Sequence, residues 1–107
     1  MAYEVHIGSF EGPLDLLLQL VEAQTLEITE VSLRDVTESF ITHVRAAEAR
    51  LSPQELADFL LIAAKLVYLK AKALVPTLVD PELDEGPDLA TQLKMYQAFV
   101  QAATKLG

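Results

Sequence analysis

The chain contains 107 residues, of which 51% are hydrophobic and 22% are charged, and its 16 acidic and 8 basic side chains give a net charge of −8. These values exclude a disordered chain and allow one hydrophobic core, while the negative charge argues against direct contact with the phosphate backbone of DNA. The sequence has no cysteine, which excludes disulfides, thiol catalysis and thiolate metal sites.

Signals for membrane insertion and export are missing from the sequence. Lys65, Lys70 and Lys72 interrupt the longest apolar run, which is therefore shorter than the 18 or more residues of a membrane span. The first residues lack the basic segment and apolar block of a signal peptide. We therefore expect a cytoplasmic protein that makes no membrane contact.

The first elements are an extended arm and a short helix. Residues 3–7 alternate large and polar side chains as a strand does, but no second strand pattern follows. The arm would lie against a helix of its own chain or add to a sheet in another molecule. Pro13 then opens a leucine-rich helix that ends near Gln24, and Asp15 in its first turn suits the helix dipole.

A second helix is predicted from Ser32, which can cap it, to about Leu51. Its apolar residues recur at steps of three and four, so one side faces a core and the other faces water. Ile41 falls off this stripe and is a candidate for an exposed contact.

The third helix is predicted between Ser52 and Pro76. Ser52 and Glu55 form a capping box around Pro53, and Pro76 ends the helix. Its apolar arc covers roughly 250–280°, far more than a surface helix needs to pack on one core. Either the helix is surrounded by its own domain, or it also packs on a partner.

The remainder reads as a linker and a last amphipathic helix capped by Asp88. The predicted fold is an all-α helical bundle with two long antiparallel helices, a short first helix, an extended arm and a tethered last helix. We divide the chain into a helical domain at 1–76, an acidic linker at 77–88 and the helix at 89–107. The apolar pattern is still running at Gly107, so we expect a fragment.

The sequence contains no recognisable catalytic constellation. It lacks phosphate-binding, nucleophile-elbow and metal-loop motifs, and His6 and His43 have no partner at ligand spacing. We predict a non-enzymatic chain with no cofactor and no metal.

Lys70 breaks the apolar pattern of the third helix, because it is expected to project into the broad apolar face. A buried ammonium group is costly unless it is paired or reaches water. Its stem therefore lies along the core rim with its head in water, or it forms a salt bridge with Glu11 or Asp15 that docks the first helix.

Three segments carry a family resemblance: FEGPLDLLLQLVEAQTLEI at 10–28, VSLRDVTESFITHV at 31–44 and ADFLLIAAKLVYLKAKALVP at 57–76. They resemble the amino-terminal domain of segregation and condensation protein A, the prokaryotic kleisin family. The resemblance implies a domain that packs helices on the coiled-coil neck beside the head of an SMC ATPase. It also implies a ScpB dimer bound through the segment at or beyond residue 88. Chromosome condensation and segregation would be the role, with ATP hydrolysis left to the SMC protein.

The proposed contact surface lies on the second and third helices. We predict a helical bundle in which two helices from this chain pack on two from the SMC neck. The predicted contact residues are Phe40, Ile41, Val44, Leu61, Ala64 and Tyr68. The competing interpretation of the same apolar surface is a self-associating scaffold that forms a homodimer and has no SMC partner.

Overall fold

The computed structural model describes residues 9–25, 27–75, 77 and 88–106. These residues form five α-helices and one 3₁₀ helix. The helices are α1 (Pro13–Ala23), α2 (Glu30–Asp35), α3 (Thr37–Ala47), the 3₁₀ turn Glu48–Arg50, α4 (Pro53–Leu74) and α5 (Leu89–Leu106). The predicted all-α bundle is thereby confirmed. The predicted arm at residues 3–7 and most of the predicted linker lie outside the described residues.

The start of α1 follows from two adjacent residues. Gly12 has a φ of 124°, in the left-handed region that favours glycine, and Pro13 occupies the first helical position. The backbone N–H of Glu11 donates to Asp15 Oδ2 at 2.7 Å, and Gln19 Nε2 donates to the same oxygen at 3.1 Å. Asp15 therefore holds the chain that enters the helix.

The predicted second helix is divided into two helices, α2 and α3. The first of them also starts earlier than expected, because Thr29 caps it three residues before Ser32. The Ser32 N–H donates to Thr29 Oγ1 at 3.1 Å, and the Thr29 N–H donates to Ser32 Oγ at 3.0 Å. The helix ends at Asp35, and α3 begins after Val36. Near the break the Thr37 hydroxyl donates to the Leu33 carbonyl at 3.0 Å, which competes with the backbone ladder.

The start of α4 is confirmed as predicted. The Glu55 N–H donates to Ser52 Oγ at 3.2 Å, and the Ser52 N–H donates to Glu55 Oε1 at 3.0 Å. Donation from the Ser52 backbone N–H, and secondarily from its side chain, favours the charged carboxylate and holds the pKa of Glu55 below its ordinary value. The helix then runs for 22 residues to Leu74.

The core lies where α1 packs against α3, α4 and α5. Its fully buried aliphatic side chains come mainly from α1, while α2, α4 and α5 contribute one each and Val36 lies between α2 and α3. Phe40 and Phe59 stack at a centroid distance of 6.4 Å, and Phe10 meets Phe59 edge-on at 5.4 Å. The apolar side chains with no exposed surface are Leu16, Leu17, Leu20, Val21, Leu33, Val36, Phe40, Leu66 and Leu93.

The last helix, whose docking the sequence left open, packs into the same core through Leu89 and Leu93. Asp88 caps it, since the Thr91 N–H donates to Asp88 Oδ1 at 2.8 Å and lowers the pKa of that carboxyl. Burial raises the pKa of the Tyr96 phenol, and the Asp15 carboxylate, which accepts its hydrogen bond, adds to the shift. The α5 helix is thus joined to α1 by apolar and polar contacts.

Candidate partner-binding surface on α4

An apolar strip of α4 faces solvent. Leu60 and Leu61 are each 52% exposed, Val67 is 47% exposed and Leu74 is 79% exposed. We call this surface the exposed α4 face, and define it as Ala57, Leu60, Leu61, Ala64, Val67, Ala71 and Leu74. Ala71 is less exposed than the other residues of this face. Single exposed leucines are ordinary in proteins, but a continuous row of apolar side chains along one helix is a candidate contact surface.

The exposed α4 face is long and narrow. At 1.5 Å per residue it extends about 26 Å from Ala57 to Leu74, and its side chains fall within roughly 140° of the helix circumference. The opposite side of α4 carries Phe59, Ile62 and Leu66, which are buried in the core. The helix therefore has two apolar sides, and its own domain covers one of them.

Some of the predicted contact residues lie on the exposed α4 face, and others lie in the core or on α3. Leu61 and Ala64 lie on the exposed α4 face, and Ile41 is half-buried on α3. Tyr68 points in the same direction as Leu61 and Ala64 but is only 7% exposed, so it is buried, with Lys72 Nζ 5.4 Å from the centre of its ring.

Phe40 and Val44 do not belong to a partner surface, so this part of the prediction is corrected. Phe40 has no exposed area and Val44 has 4%. Both lie on the single apolar stripe of α3, and this stripe is buried in the core. The prediction missed Leu60, Val67 and Leu74, whose recurrence every seven residues could have identified them.

Lys70 has a different partner from either predicted one. Its Nζ lies 3.2 Å from Glu38 Oε1 on α3, and both side chains are well exposed. The predicted salt bridge to Glu11 or Asp15 is wrong, because Lys70 lies beside α3 while Asp15 binds Glu11, Gln19 and Tyr96. The docking of α1 does not depend on Lys70.

Replacing Lys70 with methionine is expected to change the free energy of unfolding by less than about 1 kcal/mol, because exposed ion pairs contribute little. Glu38→Gln should have a similarly small effect, since it removes the same pair from the other side. Thermal unfolding followed by circular dichroism would measure both. A loss of several kcal/mol in Lys70→Met alone would contradict the exposed position of the ammonium group.

An open cleft of about 420 Å³ lies where α1 and α4 begin. It is lined by aromatic rings, exposed carboxylates and turn residues, namely Phe10, Glu11, Gly12, Pro13, Leu51, Glu55, Asp58 and Phe59. The lining holds no histidine, serine or lysine that could act as a nucleophile or base. Of its carboxylates, Glu55 is already engaged by its capping bonds.

Metal-binding, titratable and membrane-spanning groups do not add a second candidate site in the described part of the chain. Within it, no three histidine, cysteine or carboxylate side chains meet in an arrangement that could hold a metal ion. His43 Nδ1 lies 2.8 Å from the Ser39 carbonyl of its own helix, and His6 is outside the described residues. Of the described helices, none has the length and apolar character needed to cross a bilayer.

Comparison with known proteins gives a consistent result. A family model described as Segregation and condensation protein ScpA matches residues 20–106. The chain is 35% identical to Segregation and condensation protein A of Streptococcus suis over 97% of the chain and 44% of that protein. The corresponding proteins of Xylella fastidiosa and Bacillus cereus are 36% and 32% identical over 98% and 99% of the chain, and over 36% and 46% of their own lengths.

No solved structure matches the chain. The chain spans less than half the length of the curated relatives it matches. The family match nevertheless covers most of its residues, including α2 to α5. The chain therefore belongs to the segregation and condensation protein ScpA family.

Proposed function

We propose that this chain is the SMC-binding part of a non-catalytic kleisin subunit in an SMC–ScpA–ScpB complex that condenses and segregates chromosomes. In this proposal it binds the coiled-coil neck next to an SMC ATPase head. Its role is mechanical attachment, so it needs no cofactor and makes no direct contact with DNA or membrane. The expected location is the cytoplasm, at the nucleoid.

The observation that carries this proposal is the exposed α4 face. A coiled-coil neck presents paired helices, and a helix with a free apolar strip can pack beside them as an additional member of the bundle. The strip is continuous for about five turns, which suits a long rod better than a compact pocket. Covering its half-exposed branched side chains would contribute on the order of 1 kcal/mol each.

The charge of the chain supports the same assignment. With a net charge of −8 the chain repels phosphate backbones, so attachment to the chromosome has to pass through a partner protein. On this proposal the SMC protein supplies the ATP hydrolysis.

A second contact, with a ScpB dimer, is proposed for the segment at or beyond residue 88. The inward side of α5 is used by the core, so only its outward side is available to a partner. That side presents Met95 and Phe99, which are 65% and 69% exposed. Two large apolar side chains one helical turn apart are suitable anchors for a protein partner.

The experiment that tests the proposal is a calorimetric titration of the chain with a fragment containing the head and adjoining neck of the SMC protein from the same source. The Val67→Lys variant should bind at least about 100-fold more weakly, since an ammonium group would be buried in the centre of the contact. Because lysine is a good helix former, the helical content should not change.

The matched control is Met95→Lys, which places the same charge on another exposed apolar position, on α5. It should bind the SMC fragment with the affinity of the parent chain. The proposal fails if the parent chain does not bind, or if Val67→Lys binds as tightly as the parent.

A further inference from the structure

The exposed α4 face contains two interleaved sets of residues, each with a spacing of seven. One set consists of Ala57, Ala64 and Ala71, and the other of Leu60, Val67 and Leu74. In coiled-coil notation these are the a and d positions of three successive heptads. Every a position is small and every d position is a branched aliphatic side chain, so the face alternates between hollows and projections.

This alternation makes the face complementary to itself when two copies run in opposite directions. In an antiparallel pair, each a position faces a d position of the partner helix. Aligning the two copies about their midpoint places Ala57 opposite Leu74, Leu60 opposite Ala71 and Ala64 opposite Val67. Each layer then joins one small and one large side chain, which allows close packing without voids. A parallel pair would set alanine against alanine and leave gaps.

The charges along α4 favour the same direction. On one flank of the exposed α4 face, Asp58 lies in the amino-terminal half of the helix, whereas Lys65 and Lys72 lie in its carboxyl-terminal half. Antiparallel pairing brings the acidic half of each helix beside the basic half of the other, and it also opposes the two helix dipoles. Lys65 comes near its own copy at the twofold axis, but on the outer flank, where water and salt screen the repulsion.

We infer that two copies of this chain associate through an antiparallel pair of α4 helices. The pair uses the same face that is proposed to bind the SMC neck, so self-association and partner binding exclude each other. The free chain would thus keep its apolar strip covered until the coiled coil displaces the second copy. A contact of three heptads lies at the small end of stable interfaces, which suits a reversible pair.

The register can be tested by disulfide cross-linking, because the sequence has no cysteine of its own. In the double variant Ala57→Cys with Leu74→Cys, the two thiols of one chain are about 26 Å apart and cannot pair within it. In the antiparallel dimer each meets the other thiol of the partner. Mild oxidation should therefore give at least about tenfold more covalent dimer than either single variant, whose thiols lie at opposite ends of the pair.

Sedimentation velocity over a range of concentrations provides the second measurement. The parent chain should shift from monomer to dimer, whereas Ala64→Lys, with a charge in the central layers, should stay monomeric. Ala73→Lys is the matched control, because Ala73 is an exposed alanine on the side of α4 away from this face, and it should dimerise like the parent.

The inference is overturned if the parent chain stays monomeric at roughly 1 mM, or if the single-cysteine variants cross-link as well as the double variant. Neither result contradicts the proposed function, because a monomeric chain can still bind the SMC fragment. Conversely, a chain that dimerises in this register but does not bind the SMC fragment would retain the inference and lose the proposed function.

Discussion

Replacing Phe40 with alanine is expected to lower the free energy of unfolding by about 3–5 kcal/mol, as large-to-small changes at buried aromatic positions do. The ring has no exposed surface, and it packs on Phe59, which in turn contacts Phe10. Its removal leaves a cavity between α3 and α4 that the fixed helices cannot close. Urea unfolding followed by circular dichroism would measure the loss.

The control for Phe40→Ala is Leu61→Ala, which removes an exposed side chain instead of a buried one. Leu61 was predicted to serve the same partner surface as Phe40, but it is 52% exposed. We expect its loss to change the free energy of unfolding by no more than about 0.5 kcal/mol. If Phe40→Ala were as stable as Leu61→Ala, the assignment of Phe40 to the core would be wrong.

Replacing Leu93 with alanine is the second large effect, with an expected loss of about 2–5 kcal/mol in the free energy of unfolding. Leu93 is fully buried although it lies on α5, which the sequence alone would allow to stand apart from the bundle. The loss follows only if α5 is part of the folded core. Guanidinium unfolding would report it as a lower midpoint with a single transition.

Met95→Ala is the control for Leu93→Ala, because Met95 lies on the same helix and is 65% exposed. It removes a side chain of similar size and should leave the midpoint almost unchanged. Equal stabilities for the two variants would show that α5 does not contribute to the core in solution. A shift confined to Leu93→Ala would show that it does.

The sequence predicted those parts of the fold that depend on local chemistry. The capping box of α4, the proline at its first position and the cap of α5 by Asp88 all act within one helical turn, so they can be read from neighbouring residues. The break between α2 and α3 could not be read in this way. The apolar periodicity continues through Val36, but the helix is interrupted there. The Thr29 cap starts α2 early, and the Thr37 hydroxyl bonds to the Leu33 carbonyl next to the interruption.

The partner surface was harder to predict than the fold. On α4 the apolar arc is so wide that periodicity cannot tell which side the domain itself covers, and this depends on where α1 and α3 pack. Phe40 and Val44 on α3 were assigned to the partner surface because they were expected beside a seam that the first helix could not also cover. Lys70 was assigned to the core side of α4 because the wide apolar arc does not show which side is buried. In the structure it pairs with Glu38 at the surface. Only tertiary packing separates the core side of α4 from its exposed side.

The contacts between α5 and α1 have a consequence for how the protein would carry force. On the proposed function the chain links two partners, and a pull arriving through α5 is resisted first by the packing of Leu89, Leu93 and Tyr96 in the core. The Gln97–Glu22 bond at 3.4 Å adds to this resistance. Such a load passes into α1 at the centre of the core, while the exposed α4 face lies outside its path. On the proposed function, an attachment through α4 would therefore persist under load until α5 separates from α1.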